Sequence, residues 1–97
     1  MNIYVTAVFT AKSGKGDNLN AVLQPLIPAV RKEDGCILYD LHRSTANPEK
    51  FLFYEIWSNQ DSLKKHSEST NMQKLKAGIA DLVVDAGNIE TWQCVSK

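Results

Sequence analysis

FYEIWSNQDSLKKH, residues 53–66, holds the transition that decides the fold. Up to Trp57 the side chains alternate. Phe53, Glu55 and Trp57 share one face, and Tyr54 and Ile56 share the other, the period of two of a β-strand. Ser58-Asn59-Gln60-Asp61 then has the form of a capping box with Ser58 as N-cap. Leu63 and His66 follow three residues apart, a helical spacing. The stretch predicts a strand over residues 51–57 that hands over to a short helix over residues 60–67. It also places a carboxylate, Glu55, among aromatic neighbours. Burying that group is costly unless it is paired or hydrogen-bonded.

Working outward, residues 3–11 alternate with Ile3, Val5, Ala7 and Phe9 on one face and Tyr4, Thr6, Val8 and Thr10 on the other. Ser13-Gly14-Lys15-Gly16-Asp17 ends that strand, with Asp17 as a helix N-cap. Leu19, Val22, Leu23, Leu26, Ile27 and Val30 then form an apolar helical stripe. Pro25 and Pro28 predict a kink in it, and Gly35 a stop. A second strand covers residues 36–43, with Ile37, Tyr39 and Leu41 set against Leu38, Asp40 and His42. Asn47-Pro48-Glu49 is a turn, so the second and third strands form a hairpin. Thr70 or Asn71 opens a further helix with Met72, Leu75, Ile79, Leu82 and Val83 on one side. Asp85-Ala86-Gly87-Asn88 reads as a turn before a last strand over residues 89–95. This order is the split βαβ of a ferredoxin-like α+β domain over residues 1–97. It predicts a four-stranded antiparallel sheet with helices on one face. The other face is also apolar, which predicts a homodimer through it.

Composition narrows the function. Of 97 residues, 43% are hydrophobic and 23% charged, and the net charge is +0. That balance argues against nucleic acid and anionic membranes, which require a basic field. No run approaches the roughly 18 apolar residues of a membrane span, and the N-terminus alternates like a strand instead of forming a signal peptide. Cys36 and Cys94 fit no metal spacing and are expected as free thiols in the cytoplasm, a strand-to-strand disulfide being the alternative.

The candidate chemistry gathers on the face of Glu55. Trp57 offers a flat apolar wall with an N–H. His66 titrates near neutrality and is a candidate general base or donor to a substrate oxygen. The alternatives are a glutamate satisfied by Arg43, Lys64, Lys65 or a backbone donor, and a satisfied core histidine. Tyr39 and His42 come from the neighbouring strand but alternate to opposite faces, so at most one joins Glu55. Phe53, Leu63 and Met72 complete the expected lining. No phosphate loop, nucleophile elbow or dinucleotide fingerprint is present.

The segments RKEDGCILYDLHRS, NPEKFLFYEIWSNQDSLKKHSES and VTAVFTAKSGKGDNLNAVL resemble the antibiotic biosynthesis monooxygenase family, of the small quinol-monooxygenase type. Its E-G-C-x-x-Y-x-x-H pattern stands here as Glu33-Asp34-Gly35-Cys36…Tyr39…His42, with one residue inserted. Its Y-E-x-W…H pattern stands as Tyr54-Glu55…Trp57…His66. The resemblance implies a dimeric ferredoxin-like barrel with a pocket between sheet and helices. It implies oxidation of a small aromatic or quinol-like molecule by O2 with no metal or other cofactor. From their residue types, His66, or alternatively His42, would be the base, Glu55 would orient it, and Trp57 and Phe53 would form walls. That makes His66, Glu55 and Trp57 the catalytic set and Phe53, Tyr39, His42, Leu63 and Met72 the substrate-binding one. The haem-degrading branch differs at three positions, carrying tryptophan where His66 stands, histidine near Lys76 and asparagine near Thr6 or Ala7. Haem degradation is therefore not expected. A related branch that processes autoinducers is an isomerase. An isomerase or lyase acting on a small carbonyl compound, or a non-catalytic ligand-binding dimer, is thus the alternative.

Overall fold

A computed structural model describes residues 1–97 except the side chain of Ala86. The elements run β1 (Ile3–Ala11), α1 (Gly16–Leu23), α2 (Leu26–Arg31), β2 (Cys36–Arg43), β3 (Lys50–Trp57), α3 (Gln60–Ser67), α4 (Thr70–Ile79) and β4 (Val83–Trp92). The four strands form one antiparallel sheet in the order β2-β3-β1-β4. β3 lies between β1 and β2, so the two strands of the βαβ unit are split, as the sequence predicts. β2 and β4 are the edges, and the sheet of a single chain is open. Among the described residues no helix is long and apolar enough to cross a membrane.

The prolines do more than kink the first helical stripe. They divide it into α1 and α2, with Pro25 as the N-cap of α2 and Pro28 in its first turn. The first-turn N–H groups have no partner inside the helix, so Pro28 gives up nothing there. The stripe survives the break, and Leu19, Leu23, Ile27 and Val30 are all buried. With Leu75 and Ile79 of α4 they pack on Val5, Ala7, Phe9, Phe51, Phe53 and Trp57 of the sheet.

Several boundaries differ from the sequence reading. α1 starts at Gly16 without a side-chain cap, and Asp17 pairs instead with Arg43 at 2.9 Å. Asn59, not Ser58, caps α3 by accepting from the Ser62 N–H. Ser69 caps α4 in the same way through the Met72 N–H. α4 ends at Ile79, so Leu82 lies beyond it and Val83 opens β4. Residues 85–88 are not a turn but lie within β4, where the pairing to β1 shifts register near Val8 and Thr10. Gly87 takes a φ of 120° there, an irregularity that glycine permits without a Cβ penalty.

The register of β2 carries the correction that matters most. Pairing with β3 shifts between Cys36 and Leu38, so Cys36 lies opposite Trp57, Leu38 opposite Ile56 and Tyr39 opposite Glu55. The bulge sets Ile37 outward, 54% exposed, and gives its expected place on the core face to Cys36. Beyond the bulge the alternation holds. Tyr39 is buried, and His42 is exposed on the opposite face, against Leu52.

Candidate functional site

Opposed residues of an antiparallel pair project to the same face. Glu55 is flanked by Val5 on β1 and by Tyr39 on β2, all on the helix-covered side. The last turn of α3 then brings His66 over Glu55 and Trp57. Asn59 fixes where α3 starts, and His66, two turns on, becomes its one fully buried side chain.

The imidazole is held on every side. It stacks on the Trp57 indole at 4.4 Å with the planes 27° apart, and it meets the Tyr39 ring edge-on at 5.8 Å. Its Nδ1 lies 3.0 Å from Glu33 Oε1, and its Nε2 lies 3.8 Å from Glu55 Oε1. Glu33 comes from the turn between α2 and β2, and Asn71 Nδ2, in the first turn of α4, donates to its other oxygen at 2.8 Å. Glu55 Oε1 accepts from Trp57 Nε1 at 2.9 Å. A carboxylate only accepts, so the proton of a neutral His66 resides on Nδ1 and points at Glu33. The lone pair of Nε2 is thereby directed toward Glu55. Glu55 pairs with none of the cations expected for it.

Electrostatics reinforce this arrangement. Burial pushes the Glu55 carboxyl up to about 7, with Glu33 adding to the rise and the Trp57 hydrogen bond opposing it. Burial pulls His66 below its ordinary range, against the pull of Glu33 in the other direction. Desolvation prevails, so the Glu33–His66 contact is a hydrogen bond from a neutral ring and not an ion pair. The Tyr39 phenol is raised far above its ordinary value by burial and by Glu55 and Glu33, so it stays protonated. Burial and the same carboxylates push the Cys36 thiol up to about 11, which makes it a poor nucleophile.

Two neighbouring cavities lie between sheet and helices. The inner one, about 70 Å³, has Glu55, His66, Tyr39, Phe53 and Leu63 among its walls. The outer one, about 300 Å³, opens between α4 and β4, and its lining is apolar except for Lys76. Phe9, Met72, Leu75 and Ile89 border both. The outer cavity alone reaches the lower end of the range for small-molecule sites, and the inner one cannot hold a ring.

Of the residues singled out from sequence, His66, Glu55, Phe53, Tyr39, Leu63 and Met72 line this space. Phe53 stacks on Tyr39 at 4.6 Å. Trp57, expected as a wall, is fully buried behind His66 and borders neither cavity. His42, expected as a lining residue, lies on the far side of the sheet beside Val8 and Leu52. The bulge at Ile37 and the pleat beyond it send Tyr39 inward and His42 outward. Glu33 and Asn71 were not anticipated. Glu33 lies within a charged run that reads as a solvated helix end, and its place in the family pattern was the one available signal. Among the described residues no cluster of His, Cys, Asp and Glu is arranged to hold a metal ion.

Comparison with known proteins gives concordant results. The family model described as antibiotic biosynthesis monooxygenase matches residues 2–78. Rv0793 of Mycobacterium tuberculosis, provisionally named a monooxygenase, is 31% identical over 81 residues, covering 84% of this chain and 79% of that protein. An uncharacterised protein of Synechocystis, sll1783, is 26% identical over 91 residues. That match takes in 94% of this chain, which spans only 62% of the Synechocystis protein. Among solved structures, PA3566 of Pseudomonas aeruginosa superposes with a TM-score of 0.90 at 24% identity, covering 98% of this chain and 95% of that one. At that identity the likeness is one of fold.

Proposed function

Because the chain belongs to the antibiotic biosynthesis monooxygenase family, we propose that it oxidises a small, electron-rich hydroxyaromatic or quinol-like compound with O2, with His66 as the base. The observation that carries this reading is the locked imidazole. Nδ1 is committed to Glu33, and Nε2 is left basic on the wall of a cavity whose surface is otherwise mostly apolar.

The ring of the substrate occupies the outer cavity and its hydroxyl enters the inner one. Nε2 takes the hydroxyl proton. The resulting anion is rich enough in electrons to pass one to O2, and the radical pair combines to form a C–O bond as a peroxide on the ring. The O–O bond then breaks. One oxygen stays as the new carbonyl, and the other leaves as water with the proton returned by His66. Each turnover converts one ring C–H and one O–H, with O2, into a quinone and one water. Glu55, set against Nε2, orients the imidazole, and Trp57 supports both by stacking and by its N–H. The low polarity around His66 favours the entry of O2 and slows loss of the anion to water.

The partner is a second copy of the chain, met through the sheet face away from the helices. Tyr4, Val8, Leu38, Leu52, Tyr54 and Ile56 stand there only half-buried. Free thiols at Cys36 and Cys94 suit the reducing cytoplasm.

Oxygen consumption by metal-free protein, followed with a panel of hydroquinones and naphthols, tests the activity. The His66→Ala variant is expected to lose about 10²–10⁴-fold in rate. Uptake that survives the substitution overturns the base assignment. Failure to consume O2, with solvent exchange of a C–H next to a carbonyl under anaerobic conditions, overturns the oxygenase in favour of an isomerase at the same histidine.

A further inference from the structure

The outer cavity carries one charge, Lys76, and among the described residues it has no ion-pair partner. Lys76 lies one turn after Met72 and one turn before Ala80, so these three follow one another along the rim of the groove. Leu75 and Ile79 are buried at its base. Every other residue of that cavity is apolar, from Phe9 on the sheet to Val84 and Ile89 on β4. Among the described residues the ion pairs are Arg31–Asp40, Arg43–Asp17, Lys65–Asp61 and those of His66. Lys76 takes part in none. A lysine stem beside an apolar groove covers grease with its methylenes and holds its ammonium at the water boundary. Ala80, a turn further on, adds no bulk there.

The two ends of the site thus ask for different chemistry. The inner end presents a basic nitrogen and an acid to a hydroxyl. The apolar middle takes a flat ring system. The outer end presents an unpaired cation. We propose that the substrate is an aromatic hydroxy acid, with a carboxylate on the ring edge remote from the reacting hydroxyl and Lys76 as its partner. This rests on the placement of the substrate in the preceding section and adds the substrate's charge to it. A charge-assisted hydrogen bond at the edge of a partly dry groove is stronger than an exposed ion pair, because water competes with it from one side only.

The test needs no turnover. Binding of 6-hydroxy-2-naphthoate and of 2-naphthol, which share a ring and a hydroxyl, is measured by calorimetry under anaerobic conditions. The acid is expected to bind about tenfold tighter than the neutral compound. Lys76→Ala equalises the two and Lys76→Glu reverses the order. Lys74→Ala, an exposed lysine of the same helix outside the cavity lining, leaves the preference intact. Equal binding by the unaltered protein, no measurable binding of either compound, or a preference that survives Lys76→Ala overturns the proposal. The two readings fail separately. A Lys76-dependent preference without O2 uptake from any hydroquinone keeps the acid site and removes the oxygenase. O2 uptake that is indifferent to the carboxylate and to Lys76 does the reverse.

Discussion

Glu55→Gln isolates the charge at the centre of the site. Glutamine keeps an oxygen to accept from Trp57 Nε1 and nearly the same volume, but it cannot ionise. The glutamate is 5% exposed, and burial raises its carboxyl from 4.5 to about 7. In the unfolded chain the group titrates near its ordinary value. Between these two pH values the native state binds one proton more than the unfolded state, so stability falls as pH rises. The contribution is fully present below about pH 4.5 and is lost as pH passes about 7. A rise of that size corresponds to about 3 kcal/mol, or about 1.4 kcal/mol for each pH unit within the window. His66 acts with the opposite sign. Its native value is lowered, so its contribution is present above its ordinary value and is lost as pH falls. The curve of the unaltered protein therefore partly hides the glutamate. The difference between the unaltered protein and Glu55→Gln removes most of the histidine's share and exposes the slope. Urea unfolding followed by circular dichroism from pH 4.5 to 8.5 measures it. The glutamine variant is expected to gain about 3 kcal/mol relative to the parent across that range. A flat difference refutes burial as the dominant influence on Glu55. A difference of the opposite sign refutes the neutral imidazole, since it means that the native fold holds Glu55 ionised against a protonated His66.

Three further outcomes follow from the same geometry. In Glu33→Gln the Asn71 Nδ2–H claims the amide oxygen and leaves the amide N–H facing Nδ1, so ¹⁵N spectra of the imidazole should show the proton moved to Nε2. O2 uptake should then fall by about two orders of magnitude, the lower end of what a lost general base removes. Gly35 has a φ of 81°, and a Cβ there would press into the Ser62 side chain at the start of α3. Gly35→Ala should cost about 1–3 kcal/mol in urea midpoint measurements, and an unchanged midpoint would contradict the turn geometry. Ile56→Glu sets a carboxylate in the middle of the exposed sheet face. Sedimentation is expected to show a dimer for the parent and a single chain for the variant, while a parent that sediments as a single chain refutes the proposed interface.

How much of this was legible beforehand depends on distance along the chain. Residues 53–66 alone reveal a strand handing over to a helix, because pleat and helical turn impose their periods on neighbouring residues. The element order then yields the ferredoxin-like sheet, since few topologies connect such elements without crossing. Glu55 and His66 stood out because each breaks the local pattern of its own segment. The partners of those two groups were hidden. Glu33 lies 33 residues from His66 and 38 from Asn71, and nothing periodic links the turn before β2 to the first turn of α4.

The sequence by itself determined the fold class, the two apolar sheet faces and the residue types available for chemistry. Tertiary structure alone decided which of them meet. A single extra residue at Ile37 reset the register of β2, so that Cys36 took the core place expected of Ile37, and strand pairing set Tyr39, not His42, beside Glu55. The packing of the four helices on that face buried Trp57 behind His66, away from both cavities, and closed Glu33 onto the imidazole. Local periodicity specifies which way a side chain faces within its own element. Which side chains share a cavity depends on strand pairing and helix packing between residues far apart, and no window of sequence contains both sides of those contacts.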